Sequence, residues 1–461
     1  MVLPFVLLLA MIALGPLCFP TWWEKKYPAV ALGLAMVTLG YYLIPLHAFG
    51  AVKHAAREYL SFIALIGSLF VVSGGIHLNT KGGGTPLANT LFLLAGALLA
   101  NVLGTTGASM LLIRPWLRMN RAHVAAHHLV FFIFIVSNVG GCLTPIADAP
   151  LFLGFLKGVP FWWVAEQCLG IWALGVGFLL AAFFVVDSVH YRRLPHDRST
   201  SPDSWRLEGS NNLGFLAVII GAVFVERPPF LREGLMIVAA LGSWFTTRRS
   251  VHEANQFNFH PLQEVAILFI GIFATMMPAL DWLQANASRL TLASPALFYC
   301  AAGSLSSLLD NAPTYVCFLK TIFGRFVDAD VVIQVQHLVQ SRGADLAAVT
   351  GAHAEEIRNT WLALQKYHAA GLAAGNLGAD EIRVACLIGN PGLSRYLAAI
   401  SVGSVFFGAC TYMGNSPNFM VKSIAQKQRV PTPSFPAYVI RFTLPFLAPL
   451  LALVAWVFFL H

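Results

Sequence analysis

Two carboxylates lie inside segments that are otherwise apolar. Asp148 belongs to Thr144–Pro150, and Asp310 belongs to Leu308–Pro313. A carboxylate at the depth of a lipid bilayer is unfavourable and usually serves an ion path or a proton relay. Burial raises the pKa of a carboxyl group and a bound cation lowers it, so such a group can exchange a proton for Na⁺. Each carboxylate also precedes a proline, after which the apolar run resumes. The alternative role is therefore to cap a half-helix, and one residue can both cap a helix and bind an ion.

Hydroxyl and amide side chains accompany both carboxylates in the sequence. With backbone carbonyls they form a set of oxygen ligands, which hard cations prefer. We therefore predict that Asp148 and Asp310 act as metal ligands for a transported Na⁺. The complete set of candidate binding residues is Asp148, Asp310, Asn311, Thr314, Thr105, Thr106, Thr144, Asn138, Asn415, Ser416, Asn418 and Thr411.

Half of these residues lie at two interruptions of apolar runs. Thr144–Phe152 and Thr411–Phe419, 267 residues apart, have similar patterns of polar residues and proline. They belong to predicted broken helices at about 122–156 and 394–421. A polar break in a spanning helix leaves backbone groups unpaired in lipid, so it persists where it is buried or lines a cavity. Its half-helix ends offer N–H groups and carbonyl oxygens that can bind an anion, a cation or both. Matching breaks in two halves of a chain indicate the binding site of a transporter.

Two further apolar segments have small, polar centres. Pro86–Ile113 and Pro295–Leu319 align at an offset of 206 residues, which places Gly104–Thr106 opposite Asp310–Ala312. Each segment is typical of a re-entrant hairpin, in which two half-helices meet at a tip. Because the offset rises from 206 at the hairpins to 267 at the breaks, the second half holds about 61 extra residues. The polar stretch at about 324–392 accounts for them, and its Ala, Glu and Gln content predicts a partly helical, soluble insertion.

The composition is that of a membrane protein. Of 461 residues, 57% are hydrophobic and 11% are charged, and the mean hydropathy is +0.70. Basic residues in such a chain orient its loops, so the formal charge of +8 does not indicate a nucleic acid partner. The seven cysteines have no CxxC spacing, and we expect them to pack rather than bind metal or form disulfides. Apolar stretches long enough to span a bilayer occur at about 2–19, 28–46, 60–78, 122–156, 162–187, 213–245, 262–280, 394–421 and 436–460, with 213–245 divided into two spans.

The order of these segments predicts an inverted repeat. Three spans, a hairpin, a broken span and a further span give five crossings in each half, because a hairpin returns to its own side of the membrane. The predicted parts are a first repeat at 1–189, a linker at 190–212 and a second repeat at 213–461. The fold class is therefore an all-α polytopic membrane protein, with five spans and one re-entrant hairpin per half and with broken helices. The basic loops share one face, which we expect to be cytoplasmic, and the insertion and both termini are then external.

Other polar residues at span ends have weaker functional signals. Arg114 and Lys320 follow the two hairpin tips, and we interpret them as interface anchors that extend towards water. His123, His127 and His128 have helical spacing beside a basic loop and could sense pH, although a structural or interfacial role is favoured. Asp187 ends an apolar run and is interpreted as an interface residue.

Three motifs give the chain a family resemblance. It resembles the ion transporter superfamily, and within it the citrate-transporter-like proteins often labelled sodium:proton antiporters of the NhaD type. The similarity extends from about Ala29 to the last span. It implies a scaffold and a transport domain, often in a dimer, with hairpin tips and broken helices that enclose a Na⁺ and substrate site. The motifs that carry the resemblance are Asn138–Phe155, Leu309–Thr314 and Thr411–Phe419.

The hairpin tips depart from the pattern of dicarboxylate carriers in this superfamily. Those carriers typically have Ser-Asn-Thr at both tips, whereas Gly104–Thr106 and Asp310–Ala312 occupy these positions here. Asp310 adds negative charge beside any bound carboxylate, which favours a cation over an organic anion.

The expected function is secondary active transport, as a Na⁺/H⁺ antiporter. The alternatives are Na⁺- or H⁺-coupled transport of citrate or another organic anion and, third, a membrane sensor or binding protein without transport. The sequence lacks recognisable nucleotide-binding, nucleophile and metalloprotease motifs, so we expect no enzymatic activity and no cofactor besides the transported Na⁺ and H⁺. The expected partners are these ions or small carboxylates, the lipid bilayer and a second copy of the chain in a homodimer. We expect a multi-pass protein of the plasma (inner) membrane.

Overall fold

The first half of the chain is helical and includes one short strand. The computed structural model describes residues 1–79, 84–121, 123–193, 206–225, 228–289, 293–344, 346 and 349–460. Most of the predicted linker, 194–205, and the start of the first predicted broken helix at 122 lie outside the described residues. The elements of the first half are α1 (Leu3–Cys18), α2 (Pro20–Leu43), α3 (Phe49–Gly74), β1 (His77–Asn79), α4 (Pro86–Met119), α5 (Ala126–Ile135), α6 (Ala149–Leu156) and α7 (Phe161–Arg192).

Helix α4 folds back on itself at Gly104. This glycine has φ +75° and ψ 155°, a conformation that side chains with a Cβ rarely adopt. A straight helix of 34 residues would be about 51 Å long. Instead, Gly84 N donates to Met119 O across 3.2 Å, and Asn89 Nδ2 donates to Asn120 Oδ1 across 2.8 Å. The two arms therefore run antiparallel and form a hairpin with Gly104 at its tip.

The first broken helix is interrupted between α5 and α6. A short 3₁₀ turn at Val139–Gly141 follows α5, and the chain then continues without regular helix to Asp148. Every side chain of α5 from Leu129 to Ile135 is apolar and buried, so this part of the helix packs on all faces. Surrounding protein thus shields the break, as a polar interruption at membrane depth requires.

The second half also contains a hairpin and, after the insertion, a broken helix. Its hairpin consists of α12 (Pro295–Ser306) and α13 (Asn311–Phe326), and Phe298 packs against Phe318 and Phe326, which places the arms side by side. Its broken helix consists of α18 (Pro391–Phe407) and α19 (Ser416–Lys427), separated by a 3₁₀ turn at Gly408–Cys410. The elements of the second half are β2 (Arg206–Glu208), α8 (Asn212–Val223), α9 (Leu231–Thr246), α10 (Arg249–Ala254), α11 (His260–Asn286), α12 (Pro295–Ser306), α13 (Asn311–Phe326), α14 (Ala329–Gln340), α15 (Ala354–Tyr367), α16 (Ala369–Ala373), α17 (Ala379–Gly389), α18 (Pro391–Phe407), α19 (Ser416–Lys427), α20 (Phe435–Tyr438) and α21 (Ala448–Val454).

A two-stranded ribbon and two π-helical stretches complete the regular structure of the described residues. Strand β1 pairs antiparallel with β2, so the end of the linker contacts the loop before the first hairpin. The sequence pattern did not predict this ribbon. In the last helix, Val439–Leu447 and Ala455–Phe459 are π-helical and continue α20 and α21 into one 25-residue unit, Phe435–Phe459.

The insertion forms a helical unit with its own apolar core. Helices α14, α15 and α17 bury Val335, Trp361, Leu364 and Ile382 against one another, separately from the main core. Amphipathic helices that face each other in this way are typical of a water-exposed unit. Its last helix, α17, packs beside α18 and leads directly into the second broken helix.

Equivalent hydrogen bonds link each break to its own hairpin. Thr144 Oγ1 donates to Asn101 O, and Thr411 Oγ1 donates to Ser307 O, both across 2.7 Å. The threonines are 267 residues apart and the acceptors 206 apart, which are the offsets of the breaks and the hairpins. The two halves therefore share this local arrangement. The inversion of one half relative to the other across a membrane stays a prediction.

The helices fit a multi-pass membrane protein. Within the described ranges, six helices are long and apolar enough to cross a bilayer, although α4, one of these, is folded into a hairpin. Shorter apolar helices lie at Leu3–Pro16, Ala126–Gly141 and Asn212–Val223. The six helices are Phe49–Gly74, Pro86–Met119, Phe161–Arg192, His260–Arg289, Pro391–Cys410 and Phe435–Phe459.

Candidate ion-binding site

Asp148 stands at the start of the second half of the first broken helix. It is the N-cap of α6, and its Oδ1 accepts a hydrogen bond from Ala149 N across 3.0 Å. Proline at position 150 favours this helix start, because its fixed φ suits the first turn. The residue is only 5% exposed, so capping alone leaves most of the carboxylate to be satisfied by other groups.

Three donors from three other elements complete the surroundings of Asp148. Thr105 Oγ1, at the first hairpin tip, donates to Oδ1 across 3.3 Å. Asn311 Nδ2, at the second hairpin tip, donates to Oδ2 across 2.9 Å. Asn415 Nδ2, in the second break, lies 3.3 Å from Oδ1 and 3.2 Å from Oδ2. Both hairpin tips and both breaks therefore meet at one carboxylate.

The charge of Asp148 has no basic partner among the described residues. Its hydrogen-bond donors are a hydroxyl, two amides and a backbone N–H, all of them neutral. Asp310 lies near enough for its own negative charge to act on Asp148. A buried carboxylate without a cation is unfavourable, so this arrangement calls for a proton or a bound cation.

Asn311 presents an unused acceptor beside this carboxylate. The side chain is fully buried, and its Nδ2 is engaged with Asp148, but its Oδ1 has no hydrogen-bond partner. Buried polar atoms without a hydrogen-bond partner are rare, and a bound ion is one explanation for such an atom. An amide oxygen is a suitable ligand for a hard cation.

Asp310 caps the second arm of the other hairpin. Its Oδ1 accepts from Ala312 N across 3.1 Å, and the side chain of Ser416 lies close to its carboxylate. Thr314 Oγ1 donates back to Asp310 O across 3.1 Å and thus stays within its own helix turn. Both aspartates therefore cap a helix and also belong to the candidate site.

Hydrogen bonds between asparagine side chains join the two breaks. Asn138 Nδ2 donates to Asn418 Oδ1 across 2.7 Å, and Asn415 Nδ2 lies 3.2 Å from Asn138 Oδ1. Asn418 Nδ2 in turn donates to Gly408 O and Thr411 O. Asn138 and Asn418 therefore position the backbone around the carboxylate without contacting it themselves.

The predicted residues divide into three groups in the structure. Thr105, Asn311 and Asn415 donate hydrogen bonds to Asp148, and Ser416 lies close to Asp310. The second group, Asn138, Asn418, Thr144, Thr411 and Thr314, bonds to the surrounding backbone and amides. Thr106 is half-buried next to Thr105 and has no hydrogen bond to either aspartate.

Arg114 and Lys320, the two basic residues expected at the membrane interface, are buried or paired in the structure. Arg114 is buried, and its Nε and Nη1 have no hydrogen-bond partner. Lys320 Nζ lies 2.8 Å from Asp380 Oδ1 in the insertion. Neither side chain extends freely into water, because the charge of Lys320 is paired with Asp380 and Arg114 is buried. Their position at a membrane interface stays a prediction.

Sequence reasoning missed a cluster of charges that joins four elements. Lys157, just after α6, contacts Glu58 of α3 and lies 3.7 Å from Asp380. Asp380 also pairs with Arg383 across 2.9 Å, in addition to Lys320. We call Glu58, Lys157, Lys320, Asp380 and Arg383 the charge cluster. Apart from Asp380 and Arg383, which are three residues apart in α17, its members are distant in the chain, so the pairing between elements was not visible in the sequence.

Comparison with protein families identifies the class of the chain. A family model named CitMHS_2 and described as "Putative citrate transport" matches residues 1–459. No curated protein matches the chain closely enough to count as a relative. Because the family match covers almost every residue, the protein belongs to this citrate-transporter-like family of membrane transport proteins.

Proposed function

We propose that the protein is a secondary active transporter that exchanges Na⁺ for protons at Asp148 and Asp310. The observation that carries this proposal is the buried carboxylate of Asp148, which receives only neutral donors from both hairpin tips and the second break. A carboxylate in such surroundings is stable when it holds a proton or a cation. Alternating between these two states is the chemistry of an antiporter.

The oxygen atoms around Asp148 suit Na⁺ better than an anion. The Asp148 carboxylate and the unpaired Oδ1 of Asn311 are close together, and the carboxylate of Asp310 is nearby. These are hard oxygen donors with a net negative charge. Asn311 then has two roles, because its Nδ2 positions Asp148 while its Oδ1 is free to bind the ion.

Transport requires the site to face each side of the membrane in turn. Four chain interruptions meet at Asp148, so a shift of either hairpin or either broken helix changes the set of donors that it receives. We propose that the scaffold helices stay in place within a homodimer in the plasma (inner) membrane while these elements move.

The decisive experiment measures proton flux in proteoliposomes with a pH-sensitive dye. Na⁺ should dissipate an imposed pH gradient with the unmodified protein, and Asp148→Asn and Asp310→Asn should each abolish this effect. Asp330→Asn, an exposed carboxylate at the start of α14, is the matched control and should retain full flux. Full flux in Asp148→Asn, with normal folding, would refute the assignment.

The second candidate is coupled uptake of citrate or another organic anion, as the family description suggests. Arg114 supports it, because a buried guanidinium with unpartnered nitrogens attracts carboxylates. Arg114 lies ten residues beyond Gly104, about 15 Å along the arm, so it would act on the path rather than at Asp148. Uptake of labelled citrate driven by a Na⁺ or proton gradient, and its loss in Arg114→Gln, distinguishes this function from antiport.

A further inference from the structure

A second buried polar cluster lies at the base of the first hairpin, away from the hairpin tip and Asp148. His127 and His128 lie in the first turn of α5, and Asp187 lies near the end of α7. All three side chains are buried, and His128 is fully so. Burying two imidazoles and a carboxylate together is unfavourable unless each polar atom is satisfied.

The donor atoms of these residues face one another. Asp187 Oδ1 lies 3.0 Å from His127 Nε2 and 3.1 Å from His128 Nε2. The three ligand atoms all lie within 4.8 Å of one another. Zn²⁺ binds nitrogen and oxygen at about 2.0–2.2 Å, so donor atoms around a tetrahedral ion are about 3.3 Å apart. The spacing in the structure is close to that of such a site.

One atom of this triad is left without a hydrogen bond. His128 Nε2 is buried and has no correctly oriented partner, although Asp187 Oδ1 is near. Such an orphaned nitrogen indicates that a group is missing from the cluster. A metal ion among the three donor atoms would satisfy it.

A second layer of side chains holds the carboxylate in place. Asn89 Nδ2, in the first arm of the hairpin, donates to Asp187 Oδ2 across 2.8 Å and also donates to Asn120 Oδ1. This leaves Oδ1 facing the histidines. Outer partners that orient a ligating carboxylate are typical of metal sites.

We propose that His127, His128 and Asp187 bind a divalent first-row transition-metal ion, with Zn²⁺ as the reference ion. Imidazole nitrogens and one carboxylate oxygen are the ligands that such ions prefer. The ion joins the start of the broken helix α5 to α7 and, through Asn89, to the base of the first hairpin. With three protein ligands, a water molecule would complete a tetrahedral set. The site is separate from the transported Na⁺, and it does not depend on the direction or substrate of transport.

Binding also rearranges a proton on His128. Its Nδ1 accepts from Ala125 N across 3.1 Å, so the neutral ring carries its proton on Nε2. Ligation through Nε2 moves that proton to Nδ1, and the ring gives up the bond from Ala125. The metal and the first turn of α5 are therefore coupled.

The test uses the full chain in detergent, purified with an affinity tag that contains no histidine and stripped with a chelator. We expect Co²⁺ to give the visible absorption of a tetrahedral site and Zn²⁺ to displace it at one ion per chain. His128→Ala and Asp187→Asn should remove this signal, and Asn89→Ala should weaken binding about 10- to 100-fold. His337→Ala, which changes an exposed histidine in the insertion, should leave binding unchanged.

Thermal unfolding provides the second measurement. Zn²⁺ should raise the melting temperature of the unmodified protein and of His337→Ala but not that of His128→Ala. If the folded, unmodified protein shows no Co²⁺ absorption and no Zn²⁺ shift, the cluster is a proton-sharing ion pair and the proposal is wrong. Unchanged metal binding in both His128→Ala and Asp187→Asn would also overturn the assignment. It would place the ion at the nearby His123 and His190 instead.

Discussion

Asn311 Nδ2 lies 2.9 Å from Asp148 Oδ2 and thereby joins the tip of the second hairpin to the break of the first half. The two residues are 163 positions apart in the chain. Neither half contains a complete site, because the buried carboxylate comes from one half and the unpaired amide oxygen from the other. The candidate site therefore forms only when the two halves pack together.

Asn311→Ala should weaken the response to Na⁺ while leaving the carboxylates in place. The change removes a hydrogen bond to a charged group, about 1.5–3 kcal/mol, together with the free Oδ1. The half-maximal Na⁺ concentration in the proton-flux assay should rise at least about tenfold. Asn376→Ala, at an exposed amide of the insertion, is the control. An unchanged Na⁺ dependence in Asn311→Ala would show that this amide is not part of the site.

Gly104→Ala should destabilise the first hairpin tip. At φ +75° an alanine is strained, and its Cβ would lie 3.4 Å from Ile146 O in the first break. Such strain costs about 1–3 kcal/mol. Thermal unfolding in detergent measures it, with Gly214→Ala as control because a Cβ there meets no atom within 4 Å. Equal melting temperatures for the two variants would contradict the tip geometry.

Thr144→Val and Thr411→Val test the shared hydrogen bond in the two halves. Each change removes one bond to a hairpin carbonyl, about 0.5–1.5 kcal/mol. Thr411→Val should be the more destabilising, because Thr411 Oγ1 also accepts from Met413 N and Gly414 N. Equilibrium unfolding gives the comparison, and Thr→Ser at each position should restore most of the loss. A larger effect at Thr144 would be the opposite of what the contacts predict.

Asp380→Asn should destabilise the protein at neutral pH and reduce its sensitivity to acid. Burial alone raises the pKa of Asp380, but the charges of Lys320 and Lys157 and the hydrogen bond from Lys320 outweigh it, so the pKa is lowered overall. A lowered pKa in the folded state contributes stability above the unfolded value of about 3.9, and this stability is lost as the pH falls through the folded value.

Melting temperatures from neutral pH down to about pH 3 measure this dependence. The unmodified protein should lose stability on acidification more steeply than Asp380→Asn. Asp330→Asn is again the control, because this carboxylate is exposed and forms no ion pair among the described residues. Parallel curves for the unmodified protein and Asp380→Asn would mean that the charge cluster does not stabilise the fold.

The sequence by itself determined the membrane class, and it predicted the two breaks, the two hairpin segments and the helical insertion. Each of these features depends on local composition, since apolar length, proline, glycine and helix formers act within a few residues of one another. The two threonine bonds at the offsets of 267 and 206 residues agree with the alignment of the halves made from the sequence alone. The prediction that Asp148 binds ions also came from a local pattern, because this carboxylate lies in an apolar run.

Only the tertiary structure decided which side chains share a site. Asp148 with Asn311, Lys320 with Asp380, and Asp187 with His127 are separated by 163, 60 and 60 positions, respectively. No local propensity encodes such pairs, because they arise when separate helices pack and each buried polar group must find a partner. The sequence therefore supplied the chemical groups, and helix packing determined which of them meet.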